Sequence, residues 1–372
     1  MNHPDRPLSI AILGTRGVPP RYGGFETFAA ELGSRLVDRG HEVTVYCRQS
    51  LYAADPSETW RGMRQVMLPA IAHKYLETVS HAFLSACHAL FRSFDVVLVC
   101  NAANAFVLPL LRASRTAVAI NVDGIERKRK KWNLAGRAIY HAGEAMSVTF
   151  ANRVVADADV IANYYRSNFG IEPALIPYGS EFDVEDDSGV LARLGLMARN
   201  YVLYVSRFEP ENNPEAVIRS YANVKTDVPL VMVGGAPYSG LERSLKAGAD
   251  SRVLVPGAIY GQDYRTLQRN ALVYIQATEV GGTHPALIEA MASGGAILAH
   301  RSPENLEVGG DDVLYFDVHD QNDLTQLLQK SLDDSGSLDV FRTRARSRAR
   351  LRYSWSAVTD QYEVLFRSML TG

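Results

Sequence analysis

Two segments of the 372-residue chain carry residue types that could bind a phosphorylated ligand. The first is the run ILGTRGVPPRYGGFETFAAEL at residues 12–32, where an apolar strand leads through a glycine-rich turn into a helix. Such a turn can hold an anion, because free backbone N–H groups at a helix N-terminus attract negative charge. The glycines do not follow the G-x-G-x-x-G spacing of dinucleotide-binding proteins, and there is no G-K-[ST]. The loop is therefore predicted to bind an anion, but as neither a dinucleotide-binding loop nor a G-K-[ST] phosphate loop.

The second segment is ATEVGGTHPALIEAMASGGAILAH at residues 277–300. A strand ends there, a turn follows at Gly282 and Thr283, and a helix is predicted to begin near Pro285, a residue suited to the first helical position. The free N–H groups of that helix start predict a second anion site. Glu289 lies about one turn into the helix, where a carboxylate can accept both hydroxyls of a ribose. Its neighbours are apolar, which argues against a solvated helix position.

Arg207 directly follows the predicted strand YVLYVS. An arginine at the carboxyl end of a strand suits a diphosphate, because its planar guanidinium binds two oxygens at once. The alternative is a local ion pair with Glu209 or Glu211. The sequence leaves these two interpretations equally open.

Apolar runs alternate with helical patterns along the whole chain, and the length favours two domains. Nearly continuous Val, Ile and Leu runs are typical of strands that are buried on both faces of a parallel sheet. We therefore predict two doubly wound α/β domains that bind ligands at the carboxyl ends of their strands. The predicted strands are SIAIL, EVTVYC, VVLVC, AVAIN and VVAD, and then YVLYVS, PLVMVGG, RVLVPG, VYIQAT and AILAH.

The predicted domain boundary lies in the segment IPYGSEFDVEDDSG, where glycine, serine and acidic residues interrupt the alternation. The N-terminal domain is predicted to span residues 1–182 and the C-terminal domain residues 183–352. The remaining residues, 353–372, contain an amphipathic pattern that predicts a last helix. We expect this helix to cross back to the N-terminal domain.

The composition, with 47% apolar and 22% charged residues, is that of an ordinary soluble globular protein. The sequence predicts no signal peptide and no membrane span, and its three cysteines suit a reducing cytosol. The net charge of −2 divides into +5 for residues 1–180 and −7 for residues 181–372. We expect no nucleic-acid partner. The basic run RKRKK at 127–131, followed by Trp132, is either a solvated loop or a contact for anionic lipid.

Five segments in both predicted domains carry a family resemblance: GTRGVPPRYGGFETFAAEL, NVDGIERKRKKW, IPYGSE, SRFEPENN and EVGGTHPALIEAMASG. The chain resembles retaining glycosyltransferases of the GT-B fold, family 4, and is most similar to bacterial rhamnosyltransferases of cell-wall and capsular polysaccharides. The resemblance implies two Rossmann-like domains that face each other across a cleft. It also implies a nucleotide-sugar donor, with dTDP-L-rhamnose expected, and a lipid-pyrophosphate-linked saccharide as acceptor.

The same resemblance implies neither a metal nor a further cofactor. It places the protein in the cytoplasm at the inner face of the cytoplasmic membrane, held peripherally by the basic N-terminal domain. Its implied catalytic residues are Asp123, Glu126 and Arg207, and its implied acceptor-binding residues are Lys74, Glu77 and His81. The implied donor-binding residues are Gly23, Gly24, Arg207, Asn212, Tyr260, Gly281, Gly282, Thr283 and Glu289.

Some of these assignments have structural alternatives. Asp123 precedes Gly124, and Asp-Gly pairs commonly form turns. The predicted helix at 72–90 carries Lys74, Glu77 and His81 on one face, and that face is also suited to packing at the edge of the core.

Two positions depart from the family pattern. Family members commonly carry a glutamate eight positions before Glu289, where this chain has Gly281, and a lysine five positions after Arg207, where it has Asn212. A deoxysugar donor with a different hydroxyl pattern is one explanation. The rival hypotheses are a GT-B nucleotide-sugar epimerase and a non-catalytic nucleotide-sugar-binding partner.

Overall fold

The computed structural model describes residues 6–21, 23–52, 57–73, 76–114, 116–125, 127, 133–182, 189–235 and 250–371, except the side chains of Ala135 and Gln321. Two compact units make up the chain. Unit 1 comprises Met1–Gly179 and Trp355–Gly372, and unit 2 comprises Ser180–Ser354. Each unit contains one β-sheet with helices packed on it.

Unit 1 contains an eight-stranded sheet with the strand order β3-β4-β2-β1-β5-β6-β7-β8. All neighbouring strands are parallel except the short β3/β4 hairpin at one edge. The strands are β1 Ser9–Leu13, β2 Glu42–Arg48, β3 Thr59–Trp60, β4 Met63–Leu68, β5 Val96–Cys100, β6 Ala117–Asn121, β7 Arg153–Ala156 and β8 Ala174–Leu175. The helices are α1 Gly24–Asp38, α2 Gln49–Tyr52, α3 Leu76–Leu90, α4 Leu108–Ala113, α5 Leu134–Phe150, α6 Asp159–Phe169 and the C-terminal helix Trp355–Leu370.

Unit 2 contains a six-stranded, fully parallel sheet with the order β11-β10-β9-β12-β13-β14. Its strands are β9 Val202–Arg207, β10 Leu230–Gly235, β11 Val253–Gly257, β12 Val273–Gln276, β13 Ile297–His300 and β14 Leu314–Phe316. Its helices are α7 Val190–Arg193, α8 Pro214–Ala222, α9 Gly261–Asn270, α10 Pro285–Ala292, α11 Pro303–Gly309, α12 Gln321–Asp333 and α13 Leu338–Arg352. The C-terminal helix of unit 1 is therefore α14.

The central strands of both sheets are buried on both faces, as their continuous apolar runs predict. Every residue of β5, β6, β12 and β13 is buried. All ten strands predicted from apolar runs are present, and the helix predicted to begin near Pro285 does begin there. The strands that the sequence did not predict are β3, β4, β8 and β14, which are short or only partly buried.

The C-terminal helix α14 packs against α1 within unit 1, as the amphipathic pattern predicts. The ring of Tyr362 meets that of Phe28 with 5.4 Å between centroids. The Tyr362 hydroxyl accepts a 2.8 Å hydrogen bond from Nδ2 of Asn121, the last residue of β6. The helix thus fixes the carboxyl end of a central strand.

No helix in the described ranges is long and apolar enough to cross a membrane.

We expect Tyr362→Phe to lower the free energy of unfolding by about 1–3 kcal/mol, because the buried Asn121 amide loses its partner. Urea denaturation measures the change. Val364→Ala is the matched control, since Val364 is exposed on the same helix and surface changes stay within about 0.5 kcal/mol. Equal stability of the wild type and Tyr362→Phe would contradict a structural role for this bond.

Candidate functional site

Arg207 is the last residue of β9, at the carboxyl edge of the unit 2 sheet. Its side chain is 44% exposed and its contact with Glu209 is loose, at 3.7 Å between Nη1 and Oε1. The Arg207 carbonyl accepts a 2.6 Å hydrogen bond from Nδ2 of Asn212. The Asn212 carbonyl in turn accepts the buried Tyr204 hydroxyl at 2.6 Å. Asn212 therefore fixes the backbone at Arg207, and its predicted contact with the donor stays a prediction.

Glu289 lies on α10 and is partly buried. Its Oε2 accepts a 2.6 Å hydrogen bond from the Tyr264 hydroxyl, which itself accepts a 2.8 Å bond from Nε2 of Gln268. Gln268 also donates to the carbonyl of Ala286 in the first turn of α10. Two residues of α9 thus orient the carboxylate that the sequence assigns to a ribose.

The side chain of His284 explains why position 281 carries a glycine. A Cβ at position 281 would overlap the imidazole of His284, with only 2.8 Å to Cδ2. The ring is held by its Nδ1, which lies 2.7 Å from Oδ1 of the buried Asn305. Asn305 donates to the carbonyls of Thr278 and His300. A glutamate at position 281 is therefore incompatible with this position of His284.

The remaining residues of this edge have mixed environments. Gly282 and Thr283 are buried in the turn before α10, whereas Tyr260 is exposed just before α9. Glu279 accepts a 2.8 Å hydrogen bond from Nδ2 of Asn213. The donor-binding roles of Tyr260, Gly282 and Thr283 stay predictions.

His300 ends β13, and Asp317 and His319 follow β14. The three residues place possible metal-ligand atoms within 4.8 Å of one another. The Val318 N–H donates to Nδ1 of His300 at 3.2 Å. In a neutral imidazole the other nitrogen, Nε2, then carries the proton, so neither nitrogen offers a lone pair to a metal. The group does not fit a metal ion in this arrangement.

In unit 1, the glycine-rich loop after β1 makes close backbone approaches. Gly14 has φ +91° and lies where a Cβ would be 2.5 Å from the Cys100 carbonyl. Gly17 has φ +117°, and a Cβ there would be 2.6 Å from Sγ of Cys47. These glycines fit the loop between β2 and β5, because any larger residue would collide.

Glu26 occupies the N-terminus of α1. Its Oε1 accepts a 3.2 Å hydrogen bond from the Arg16 N–H, and its carboxylate also interacts with the N–H groups of Gly23 and of Glu26 itself. Burial raises the pKa of this carboxyl, and the three backbone donors oppose that rise. The helix start that resembles a phosphate site thus already holds an internal carboxylate. The contact of Gly23 and Gly24 with the donor stays a prediction.

Asp123 follows β6 and has φ +52°, a left-handed conformation that asparagine and aspartate tolerate better than other residues with a side chain. Its N–H donates to Oδ1 of Asn121 at 3.0 Å, and the amide of Asn121 is bound to Tyr362 of α14. This conformation fits the Asp-Gly turn, and the Asp123 side chain is partly exposed. The catalytic role of Asp123 stays a prediction.

Glu77 and His81 lie on α3 beside Arg48, the last residue of β2. Arg48 is buried, and its Nη1 is 3.1 Å from Oε2 of Glu77 while its Nη2 donates to Thr78 at 3.0 Å. Burial lowers the pKa of His81 to about 4, so its ring is neutral near pH 7. Nε2 of His81 is buried and has no hydrogen-bond partner among the described residues. The structure thus brings Glu77 and His81 together, and their acceptor role stays a prediction.

Several predicted residues lie outside the described residues: Lys74, Glu126 and most of the basic run, namely Lys128–Lys131 with Trp132. Arg127, the first residue of that run, is described. Its Nε is 3.3 Å from Oε2 of Glu144, and its Nη2 donates to the Tyr164 hydroxyl at 2.9 Å. This arginine is therefore part of an ion pair in unit 1.

Sequence reasoning missed the residues that orient the predicted ones: Glu26, Arg48, Tyr264, Gln268 and Asn305. For Tyr264 and Gln268 a signal was present, since polar residues four apart share one face of a helix. The position of Glu26 in the first turn of α1 was a second signal, since carboxylates are favoured there. Arg48 and Asn305 gave no such signal, because the residues they contact are distant in sequence.

The fold is shared with solved structures of other proteins. Sucrose-phosphate synthase from Thermosynechococcus elongatus superposes with a TM-score of 0.82 at 19% sequence identity, over 97% of this chain and 99% of that chain. The structure of Anabaena HepE in complex with UDP gives a TM-score of 0.75 at 15% identity, over 97% and 100% of the two chains. This chain therefore has the GT-B glycosyltransferase fold.

Family models match the two units separately. Residues 193–348 match the model described as glycosyl transferases group 1. Residues 8–181 match a model described as a domain of unknown function, DUF1972. Most of unit 2 is therefore similar to the group 1 glycosyl transferases.

Curated relatives are distant. The serotype-specific mannosyltransferase WbdA of Escherichia coli is 24% identical over 165 residues, which are 42% of this chain and only 20% of the relative. A GDP-mannose-dependent phosphatidylinositol monomannoside mannosyltransferase of Mycobacterium tuberculosis is 26% identical over 335 residues, or 81% of this chain and 83% of the relative. A Campylobacter jejuni N-acetylgalactosaminyltransferase, whose name gives a diphospho-undecaprenol-linked sugar as its acceptor, is 28% identical over 40% of this chain and 42% of the relative.

The buried carboxyl of Glu26 predicts a pH-dependent stability difference. Because its pKa is raised in the folded protein, the folded state holds this proton more tightly, and stability falls as the pH rises from the ordinary carboxyl pKa to the raised one. Each pH unit across that interval costs about 1.4 kcal/mol. Relative to Glu26→Gln, the wild type should therefore lose stability as the pH rises from about 4 toward neutrality.

Urea midpoints measured across this pH range give the effect. Glu42→Gln, at an exposed position, is the control. A pH-independent stability difference between the wild type and Glu26→Gln would refute the prediction.

Proposed function

We propose that this glycosyltransferase moves L-rhamnose, with retention, from dTDP-L-rhamnose onto a lipid-pyrophosphate-linked saccharide. The observation that carries the proposal is the carboxyl edge of the unit 2 sheet. There the half-exposed Arg207 ends one strand, and the helix start before Glu289 follows the neighbouring strand β12. Parallel strands of a doubly wound sheet bind their ligands at this edge.

In this proposal Arg207 binds the diphosphate of the donor and Glu289 binds the ribose. The carboxylate contact of Arg207 with Glu209 is loose, so a diphosphate can replace it at little cost. The Tyr264 hydroxyl fixes one oxygen of Glu289 and thereby sets the direction of the other. The two side chains thus supply a cation and a hydroxyl acceptor, as a nucleoside diphosphate requires.

The choice of a deoxysugar rests on Gly281 and His284. Related enzymes commonly place a carboxylate at position 281, where this chain has no side chain and the His284 ring fills the neighbouring space. A site without that carboxylate loses an acceptor for sugar hydroxyls. A 6-deoxyhexose, which has one hydroxyl fewer, is compatible with such a site.

The acceptor class is supported by the relatives. One acts on a diphospho-undecaprenol-linked sugar and another on a phosphatidylinositol monomannoside, according to their names. In this chain, Glu77, His81 and Asp123 of unit 1 are the proposed groups near the acceptor. A lipid-linked acceptor also places the reaction at the inner face of the cytoplasmic membrane, which we propose as the working location.

The proposed reaction breaks the bond between the sugar C1 and the donor phosphate oxygen, and the acceptor oxygen bonds to C1 on the same face. The departing phosphate takes the acceptor's proton. The protein contributes positioning and stabilisation of the negative charge that grows on the leaving group. Arg207 and the backbone N–H groups before α10 are the proposed sources of that stabilisation, with no metal required.

Measurements of donor binding test which nucleotide and which sugar the donor carries. In thermal-shift titrations, dTDP-L-rhamnose should stabilise the protein more than UDP- or GDP-linked sugars, because a ligand at about 100 times its Kd adds about 2.7 kcal/mol.

Glu289→Ala should weaken binding of the nucleotide sugar at least tenfold, since a hydrogen bond to a charged group contributes about 1.5–3 kcal/mol. Glu215→Ala, at an exposed position on α8, is the control and should bind like the wild type. Unchanged affinity of Glu289→Ala would remove Glu289 from the site.

Incubation with donor alone separates the rival hypotheses. A transferase leaves the donor sugar unchanged until an acceptor is added, an epimerase alters it without acceptor, and a binding partner transfers nothing.

Arg207→Ala should lower the transfer rate at saturating donor by roughly 10²–10³, the loss found when one stabilising donor is removed. The effect should fall on turnover, because the interaction strengthens as the leaving group gains charge. Glu209→Ala is the control and should retain turnover. Near-normal turnover of Arg207→Ala would identify Arg207 as a surface residue without a role in the reaction.

A further inference from the structure

The unit 1 sheet has a cavity at its amino edge, which we call the amino-edge cavity. It lies where β1 and β2 begin and where the chain runs from α3 into β5, and its volume is about 690 Å³. Sites for small molecules have volumes of about 300–1,000 Å³. The glycine-rich loop and Arg48 lie at the opposite, carboxyl edge, since Arg48 is four residues beyond Thr44 on β2, or about 13 Å along the strand. The amino-edge cavity is therefore large enough for a ligand and separate from the predicted sites.

Two arginines line the amino-edge cavity. Arg64 of β4 pairs in register with Thr44 of β2, so the two side chains lie on the same face of the sheet. Arg92 follows the end of α3. Both arginines are exposed, and neither guanidinium forms an ion pair or a hydrogen bond with another residue in the described part of the chain. Two guanidinium groups in one concave site suit a phosphate, because each can bind two of its oxygens.

The pair of Tyr46 and His88 gives this end of the cavity a fixed wall. The Tyr46 oxygen lies 3.0 Å from Nδ1 of His88, and the two rings meet edge to face with 5.6 Å between centroids. Tyr46 is fully buried, so it holds the imidazole in place. Burial lowers the pKa of His88, and the positive charges of Arg92 and Arg64 lower it further. The two arginines thus concentrate their charge at one end of the cavity, beside His88.

Two carboxylates line the rim of the same cavity. Glu42 begins β2 and Glu58 precedes β3, and both are exposed. Glu42 is two residues before Thr44 and therefore faces the same side of the sheet, nearer the amino edge. Neither glutamate forms an ion pair with any basic residue that the structure describes. Cations and carboxylates that stay apart in one cavity suit a ligand with a phosphate at one end and hydroxyl groups at the other.

We propose that the amino-edge cavity binds a phosphorylated sugar or polyol, with its phosphate at Arg64 and Arg92 and its hydroxyls at Glu42 and Glu58. A free phosphate would leave the carboxylates without donors, and a sugar without phosphate would leave the arginines without an anion. The rim carboxylates also disfavour an extended anionic surface such as a lipid bilayer, because like charges repel. The proposal does not rest on the proposed function, which uses other residues.

Isothermal titration calorimetry of the full chain tests the phosphate end. Glucose 6-phosphate should bind more tightly than inorganic phosphate, glucose should not bind, and added salt should weaken the binding. Arg64→Gln/Arg92→Gln should lower the affinity for glucose 6-phosphate at least tenfold, because charge-assisted hydrogen bonds are lost. Its melting temperature should be unchanged, because both side chains are exposed. Arg112→Gln, which removes an exposed arginine of α4 outside the cavity, is the matched control and should bind like the wild type.

Glu42→Gln/Glu58→Gln tests the hydroxyl end of the cavity. This variant should lose much of the preference for glucose 6-phosphate over inorganic phosphate, while its affinity for inorganic phosphate should not fall. Arg207→Ala separates the amino-edge cavity from the proposed donor site and should bind glucose 6-phosphate like the wild type.

Four results would overturn the proposal. They are no binding of glucose 6-phosphate to the wild type, unchanged affinity of Arg64→Gln/Arg92→Gln, an equal loss in Arg112→Gln, or an unchanged preference in Glu42→Gln/Glu58→Gln. Loss of binding in Arg207→Ala would also overturn it, because it would assign the sugar phosphate to the donor site. Phosphatidylglycerol vesicles test the other source of a phosphate group. Vesicle binding that needs Arg64 and Arg92, without binding of glucose 6-phosphate, would contradict a soluble ligand.

Discussion

Parallel strand pairing is the constraint on which both units depend. Every neighbouring pair of strands is parallel except the β3/β4 hairpin, so the chain must return along the outside of each sheet before the next strand begins. The carboxyl ends of the strands therefore gather at one edge of each sheet. In unit 2 this edge collects Arg207, Glu279 and His300, which are far apart in sequence. In unit 1 it collects the glycine-rich loop, Arg48 and Asp123.

At both edges a buried polar network fixes the loops that the pairing brings together. In unit 1 the Glu26 carboxylate accepts a hydrogen bond from the Arg16 N–H of the glycine-rich loop. In unit 2 the amide of Asn305 holds the His284 ring and two strand-end carbonyls. Such networks are costly to disrupt, because a buried polar group that loses its partner keeps its desolvation penalty. Rigid loops of this kind present side chains in one orientation.

Most of the fold could be predicted from the sequence, because strands buried on both faces appear as continuous apolar runs. The β3/β4 hairpin escaped prediction because its strands lie at an edge and β4 mixes apolar with polar residues. For the candidate site, the places of Arg207 at a strand end and of Glu289 near a helix start could be predicted because both are local features, while their binding roles stay predictions. The partners that orient them could not, because the contact of Tyr264 with Glu289 and that of Asn305 with His284 depend on how distant segments pack.

Helix α3 shows how a buried residue at a strand end sets the charge on both faces of a neighbouring helix. Its inner face carries Glu77 and His81, where Arg48 neutralises the carboxylate and burial keeps the imidazole uncharged. Since the ion pair with Arg48 turns the helix's acidic group inward, the outer face is left entirely without charge. The buried arginine at the end of β2 therefore shapes the proposed acceptor site, because it holds the Glu77 carboxylate and Thr78 on the inner side of the helix.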